Sequence, residues 1–371
     1  MKRTTAAAAA LTLTLGLAAC QPEPVPTPNP EPAPAEAGSV MSEDRLNEVL
    51  ADISAQIAAA DAVADADELG DRVLAPAREM RAGQYALTAV TGGSIATPPI
   101  AVDSQSSAVV ATTKWPRVAE VITTIPTGSN LPLLIFLVQE NPRDKFGMWS
   151  WVRLFPGTES PATTRPAIGS APVAPDQDGL LMTPEETLAA YADLLNNRTD
   201  SEFAATFTEE PHRAGHWQTV DSLATAVEAA GTVTQNSAVS DYDTYAIGTH
   251  DGGAIVMGLL NQEIVLTRTV EDATLSVGPI LAYGEDPTVD GSLTASYLLS
   301  VAFYIPPATD GEGQITVLGA EQALLDVVRA APAPAEGEDG EAAEGEGAED
   351  GEDGEATEDA ENTEDDTADD A

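Results

Sequence analysis

Proline occupies every second position from residue 22 to residue 34, within the segment QPEPVPTPNPEPAPAEAG. Proline fixes φ and lacks a backbone N–H donor, so this segment is excluded from helices and central strands and is expected to be a polyproline II stalk without a fold of its own. At about 3.1 Å per residue, such a stalk reaches roughly 50 Å. The folded part of the chain must therefore begin after it, and we place the end of the stalk at residue 40.

The chain ends in a second segment that cannot build a core. Residues 331–371 contain 19 acidic side chains, no basic one and no aromatic one. Such a composition buries too little apolar area to offset chain entropy, so we expect a disordered, solvated acidic tail. Weak binding of divalent cations or of a basic partner is the alternative for this tail. The part that can fold is thus residues 41–330.

The first twenty residues have the pattern of a secretory signal. A short basic start precedes a small, apolar stretch of about 14 residues, which is shorter than the roughly 20 that a transmembrane helix needs. We therefore predict a signal peptide over residues 1–19. The stretch ends in four residues that resemble the lipobox of bacterial lipoproteins: Leu17, Ala18, Ala19 and Cys20.

This resemblance implies a lipid anchor on Cys20. In that family the cysteine sulfur receives a diacylglyceryl group, cleavage occurs before the cysteine, and the new amino terminus is often acylated. Cys20 is the only cysteine in the chain. Two or more acyl chains hold a protein stably on a lipid bilayer, whereas one chain binds reversibly. The predicted location is therefore extracytoplasmic and lipid-anchored to the cell membrane; an ordinary cleaved signal with a coincidental cysteine is the alternative.

Charge and missing motifs exclude several classes of protein. The 371 residues carry 61 acidic and 16 basic side chains, a formal net charge of −45, which disfavours binding to nucleic acid or to anionic lipid headgroups. The sequence has no Gly-rich phosphate loop, no Gly-x-Ser-x-Gly and no His-Glu-x-x-His. We predict no cofactor and no nucleic-acid partner.

The foldable part divides into two halves that begin alike. We predict a first module at 41–168, a linker at 169–182 and a second module at 183–330. Ser42 as N-cap and an apolar helical face begin the first half, and a Thr183–Glu186 capping box begins a helix in the second. Each half continues with a short second helix, at 67–74 or 200–207, and then with strands; a final helix is expected at 321–329.

Two short segments recur in the halves. Arg-Ala-Gly-Gln-Tyr at 81–85 returns as Arg-Ala-Gly-His-Trp at 213–217, and the strand at 147–156 is matched with 297–306. The order of helix, helix and antiparallel strands resembles the nuclear-transport-factor-like or cystatin-like α+β cone. The resemblance implies an α+β fold of two tandem cone-like modules, each with helices packed on a curved antiparallel sheet.

The whole organisation resembles an uncharacterised family of actinobacterial cell-envelope lipoproteins. Signal, proline stalk, two modules and acidic tail follow one another, and 13 Arg against 3 Lys suit a GC-rich genome. The resemblance implies a fold and a location without implying a reaction.

The best enzymatic hypothesis rests on Tyr191. The helix from Thr183 is similar to the first helix of the ketosteroid isomerase group, in which a Tyr donates a hydrogen bond to an enolate and a carboxylate abstracts a proton. Tyr191 matches that Tyr, while Glu210 or its neighbour Glu209 lies near the position of the base without its local motif. The alternative is a core tyrosine, and we predict no catalysis.

Two further groups of side chains are weighed for binding. His212 and His216 are four residues apart, as on a helical metal site, with a third ligand needed from His250, Glu209 or Glu210. Because Pro211 and Gly215 disfavour a regular helix, we predict a polar loop here and no metal. A second set of side chains alternates onto one face of a strand: Trp149, Trp151 and Arg153. This face is a candidate for contact with a ligand or a partner, and ordinary packing of the sheet is the alternative.

Together these patterns predict a non-catalytic binding or protein-interaction module held at the cell envelope, with an envelope protein or a small ligand as its partner. A small-molecule isomerase or dehydratase in the second module is the first alternative. A purely structural surface spacer is the second.

The lipid anchor makes a direct prediction for Cys20→Ala. Without the only thiol, the chain cannot accept the diacylglyceryl group, so it is released or retained as an unlipidated precursor. Metabolic labelling with a fatty acid, followed by membrane fractionation, measures the outcome. Undiminished label in the variant contradicts the anchoring.

Overall fold

The computed structural model describes residues 37–308 and 313–331. The predicted signal peptide, the lipobox with Cys20, most of the stalk and nearly all of the acidic tail lie outside the described residues. The described chain is a mixed α+β fold. Its helices are α1 (Glu43–Val63), α2 (Ala75–Val90), α3 (Pro184–Asn197), α4 (Pro211–Val227) and the single turn α5 (Pro279–Ala282).

Most strands belong to one antiparallel sheet. They are β1 (Ser104–Val109), β2 (Arg117–Thr123), β3 (Leu133–Gln139), β4 (Gly147–Leu154), β5 (Gly231–Val239), β6 (Tyr245–Gly248), β7 (Ala254–Arg268), β10 (Ser292–Ile305) and β11 (Thr316–Ala330). A separate hairpin is formed by β8 (Leu275–Ser276) and β9 (Thr288–Val289).

The first helix of each half begins where the sequence predicts. Ser42 accepts a hydrogen bond from the Arg45 N–H and caps α1, whose predicted apolar face is buried. Thr183 and Glu186 form the predicted capping box of α3. Because a cap satisfies backbone donors that a helix start leaves free, these residues fix the two starting points.

The strands form two four-strand meanders that meet in the middle of the sheet. The order is β1-β2-β3-β4-β11-β10-β7-β5, and β6 pairs with the other end of β7. Each half therefore runs helix, helix and meander, with β5 and β6 sharing the outer edge in the second half. The last strands of the halves, β4 and β11, pair through Arg153 with Ala320 and Leu154 with Gly319. The halves thus share one continuous sheet.

The halves also share a hydrophobic core. The Trp149 ring meets the Tyr245 ring of the other half edge-on, with centroids 4.8 Å apart. In β7, Ile255 and Met257 join the core of the first half, while Val256 packs with α3. Since alternate residues of a strand point to opposite faces, β7 serves two cores. The described chain is therefore one compact unit, and two tandem modules are not confirmed.

The expected linker at 169–182 is part of this unit. The Ser170 N–H donates to the Val109 carbonyl at 2.8 Å, and the Gly248 N–H donates to the Ala171 carbonyl at 2.9 Å. Neighbouring linker residues thus bond to the first half and to the second. The segment fastens the halves together.

A buried polar network crosses the seam between β4 and β11. Arg81 donates to both Asp61 oxygens at 2.6 Å and to Gln84 Oε1 at 2.8 Å. Gln84 Nε2 donates to Glu321 Oε1 at 3.0 Å, and Arg153 Nε lies 3.0 Å from Glu321 Oε2. Burial raises the pKa of Glu321, while Arg153 opposes that shift. The network links α1 and α2 of the first half to β11 of the second.

Three expectations about local structure are wrong. Residues 321–329 form part of β11 instead of a helix, because they pair with β10 along their length. The second long helices are α2 and α4, later than 67–74 and 200–207. Finally, the expected match of 147–156 with 297–306 is wrong, because 297–305 belongs to β10. β4 is the last strand of its meander, and its counterpart in the second half is the last strand β11. Long-range pairing overrides local helix propensity at such positions.

The recurring pentapeptide has the same local structure in both halves. It lies in the second long helix, where Arg81 stacks over the Tyr85 ring at 5.1 Å and Arg213 over the Trp217 ring at 5.4 Å. The two glycines of the motif differ in their surroundings. A Cβ on Gly83 would overlap the Leu324 carbonyl oxygen of β11, whereas a Cβ on Gly215 would have open space around it.

Gly83→Ala is expected to lower the free energy of unfolding by about 1–3 kcal/mol, since overpacking against a backbone atom is not relieved by a side-chain rotation. The matched change Gly215→Ala is expected to raise it by up to about 1 kcal/mol, because alanine is the better helix former. Urea unfolding followed by circular dichroism measures both. Equal effects of the two variants would contradict the packing of α2 on β11.

Candidate functional site

The structure brings the candidate catalytic and metal-binding residues of the second half together. Tyr191 lies on α3, Glu210 caps the start of α4, and His212 is the second residue of α4. The Tyr191 hydroxyl donates to Glu210 Oε1 at 2.8 Å and lies 3.4 Å from His212 Nδ1. Glu209, the other carboxylate considered, has no hydrogen bond to this hydroxyl.

The hydrogen bonds of Glu210 are those of a helix cap. Both of its oxygens accept from the Arg213 N–H, at 2.9 and 3.0 Å. Burial raises the pKa of Glu210, and the Arg213 and Tyr191 hydrogen bonds oppose that shift. A carboxylate at this position satisfies a free N–H donor and stabilises the positive end of the helix dipole.

Tyr191 is surrounded by packed aromatic rings. It is fully buried, and its ring centroid lies 5.4 Å from that of Phe207 and 5.2 Å from that of Phe303. Burial and the Glu210 charge raise the pKa of Tyr191 well above 10. The arrangement is a core tyrosine whose hydroxyl is occupied by a carboxylate, and the clefts described below are not lined by it.

The predicted polar loop is wrong: His212 and His216 lie side by side on the regular helix α4, in which Pro211 occupies the first position, where its missing N–H leaves no helical hydrogen bond unmade. Their rings are nearly parallel, with centroids 6.1 Å apart. His216 Nε2 is 2.9 Å from Gln235 Oε1, and the buried His212 Nε2 has no hydrogen-bond partner among the described residues. Burial lowers the pKa of His212 to about 3. In the part of the chain that the structure describes, no three or more His, Cys, Asp or Glu residues are grouped to hold a metal ion.

The proposed ligand face on β4 lies inside the protein. Trp149 is 3% exposed and Trp151 is fully buried, so neither ring is open to a ligand or a partner. Arg153 is engaged by Glu321, as described above. Strand alternation places these side chains on one face of β4. It does not indicate whether that face is exposed, and in the structure both faces of β4 are covered. These side chains belong to the core and to the seam.

A cleft of about 450 Å³ lies between the two halves, and we call it the linker cleft. It is bounded by the β1–β2 turn, β6 and residues 172–177. Its lining is mainly apolar and includes Val110, Trp115, Val118, Pro172, Pro175 and Tyr245. Four stretches that are distant in sequence build it, so no local motif marks it.

The linker cleft carries an exposed aromatic ring and a polar group. Trp115 is 37% exposed, and the Arg117 guanidinium stacks on its ring at 4.2 Å, which restrains it. At the other side, the Tyr245 hydroxyl donates to Glu140 and lies 3.4 Å from Asp243 Oδ2. A mainly apolar cleft with a few placed polar groups has the general form of a ligand or peptide site.

The fold is thus a mixed α+β protein in which the two halves share one large antiparallel sheet and border the linker cleft. The chain belongs to the family described as Domain of unknown function (DUF8094), whose model matches residues 112–329. No curated protein and no solved structure is significantly similar to the chain. The match begins between β1 and β2 and ends one residue before the end of β11, so it covers the second half and β2 to β4 of the first half but not α1, α2 or β1. Among the described residues, no helix has the length and apolarity that a membrane span requires.

His212→Asn is expected to reduce the acid sensitivity of the fold. The unfolded chain binds a proton at His212 near pH 6.5 but the folded protein only near pH 3, so stability falls on acidification between these values by up to about 1.4 kcal/mol per pH unit. Glu210 has the opposite effect on this pH dependence. Its pKa is raised in the folded protein, so the stabilisation that it contributes is present at low pH and is lost as pH rises. Because the wild type and His212→Asn both contain Glu210, the difference between their pH slopes reports the contribution of His212.

Urea unfolding at pH 7, 6, 5 and 4 measures this slope. His250→Asn, at an exposed position in the same half, is the control and is expected to keep the wild-type slope. An unchanged slope in His212→Asn would contradict the burial of a neutral imidazole.

Proposed function

We propose that the protein is a lipid-anchored lipoprotein of a bacterial cell envelope, of the actinobacterial kind, that acts as a non-catalytic binding module. The lipobox-like residues before the single cysteine support the anchor, and the excess of Arg over Lys supports the source. In this proposal the proline stalk holds the folded unit away from an anionic membrane. The negative charge of the protein also repels it from that membrane.

The linker cleft is the observation that carries the binding function. Trp115 offers an exposed ring already restrained by Arg117, so little side-chain entropy is lost when a partner stacks on it. Glu140 and Asp243 provide acceptors beside an otherwise apolar lining. The occupant is a small ligand or a short segment of an envelope protein with an apolar body and one hydrogen-bond donor.

The surroundings of Tyr191 favour binding over catalysis. A general base must reach its substrate, but the Glu210 oxygens are taken by Arg213 and Tyr191, and Phe207 and Phe303 cover the tyrosine ring. An isomerase or dehydratase would need this packing to open. A purely structural spacer would need no cleft with a restrained, exposed tryptophan.

We also propose that the halves are copies of one ancestral unit. The support is the shared order of two helices and a meander, and the pentapeptide with its Arg–aromatic stack in both second helices. In the present chain the copies are joined at β4 and β11.

The binding function is tested by placing a photo-crosslinking amino acid that keeps an aromatic ring, such as p-benzoylphenylalanine, at position 115 of the full chain in cells. A defined adduct, a protein on a gel or a small-molecule mass on the peptide, is expected after irradiation. The matched control is position 270, where Val270 is 47% exposed on the second half. Absence of an adduct at 115, or the same adducts at 270, would contradict a site in the linker cleft.

A further inference from the structure

Glu120 is a buried carboxyl group with an unpaired oxygen. It lies in the middle of β2, opposite Ala108 of β1 and Phe136 of β3, and is 2% exposed. Its Oε2 atom has no hydrogen-bond partner among the described residues. Burial alone raises the pKa of Glu120 to about 7.

This carboxyl lines a second cleft, which we call the serine cleft. The cleft has a volume of about 820 Å³ and is formed by the start of α1, β1, β2 and residues 160–167. Most of its polar side chains are hydroxyls or amides: Asn47, Ser104, Gln105, Ser106, Ser107 and Ser160. The Ser160 Oγ atom is a second buried oxygen without a hydrogen-bond partner in the described structure.

A carboxyl in this position weakens the fold unless something binds it. Burying an ionisable group lowers the stability of the fold when no protein donor replaces the hydrogen bonds that the group made to water. An apolar residue at this buried position of β2 would give the fold higher stability. Buried, unpaired ionisable groups that border a cleft are concentrated at functional sites. Glu120 and Ser160 therefore mark the place where a ligand supplies the missing donors.

The groups around Glu120 select the charge of that ligand. Glu43 from α1 and Arg165 from residues 160–167 are the other charged residues that line the cleft; β1 adds only hydroxyls and an amide, and the β3 neighbour is apolar. With Glu120 ionised, the lining has a net negative charge. An anion is disfavoured. A divalent metal ion is not favoured, because no three or more His, Cys, Asp or Glu side chains of the described residues are grouped to hold one here.

We propose that the serine cleft binds a primary ammonium group, with the Glu120 carboxylate as its counter-ion. An ammonium has three N–H donors, and the acceptors for them are the Glu120 carboxylate and hydroxyl groups of the cleft lining, that of Ser160 among them. A sugar is less well suited, since no aromatic side chain lines the cleft in the described structure. The net charge of −45 raises the local concentration of cations.

Binding is coupled to the protonation of Glu120. The ammonium pairs with the ionised carboxylate, so a protonated Glu120 must release its proton when the ligand binds. With a pKa of about 7 in the free protein, affinity is expected to be about tenfold higher at pH 8 than at pH 6. Both pH values lie below the range in which a primary amine loses its charge.

The test uses the full chain with n-butylammonium as the probe and n-butanol as its neutral counterpart. The ¹³C resonance of the Glu120 carboxyl reports binding and protonation in the same titration. The wild type is expected to bind n-butylammonium, not n-butanol, with the tenfold pH effect. Glu120→Gln is expected to lose binding at both pH values, as followed by the backbone amide resonances of residues 104–107.

The matched control is Asp44→Asn, which removes an exposed carboxylate of α1 that does not line the cleft. It is expected to keep both binding and its pH dependence. The proposal is overturned by a wild type that does not bind, by equal binding of n-butanol, or by Glu120→Gln binding as the wild type does. If Glu120→Gln does not fold, a wild-type carboxyl resonance that fails to move with n-butylammonium overturns it equally.

Discussion

The antiparallel pairing of β4 with β11 joins the two halves, and the rest of the sheet extends from it in both directions. A Cβ on Gly319 would overlap the Arg153 carbonyl oxygen, so the close approach of the strands needs a glycine there. Arg153 and Glu321 meet at the same seam and are largely buried. A buried ion pair adds little net stability, but any register that leaves one charge alone is strongly unfavourable. The pair therefore selects the arrangement that Gly319 permits.

Both clefts follow from the way residues 160–177 cover one face of β2. Val118 lines the linker cleft, while Glu120 lines the serine cleft. These positions share a face because side chains two residues apart on a strand point the same way. The covering segment is rich in proline and small residues, so it closes over the strand incompletely. One strand thus borders an apolar site with an exposed tryptophan and a polar site with a buried acid.

Local signals predicted the parts of the fold that depend on a few neighbouring residues. Ser42 and Thr183 mark helix starts because a cap acts within three residues. The family resemblance names Tyr191 and Glu210 as separate candidates that act on a substrate, and it predicts no bond between them; in the structure the tyrosine hydroxyl donates to the carboxylate. Their environment was beyond prediction, since Phe207 and Phe303 come from different parts of the chain. Residues 321–329 were misassigned because their leucines and valines suit a helix until β10 pairs with them.

The sequence by itself determined the helix caps, the α+β class and the acidic character, because composition and short-range spacing are enough to decide them. Only the tertiary structure decided that the halves form one sheet, that Trp149 and Trp151 are covered, and that Glu120 borders a cleft. Each of these depends on contacts between residues far apart in the chain. The physical reason is that burial belongs to an environment assembled from several segments, and the residue type alone does not contain it.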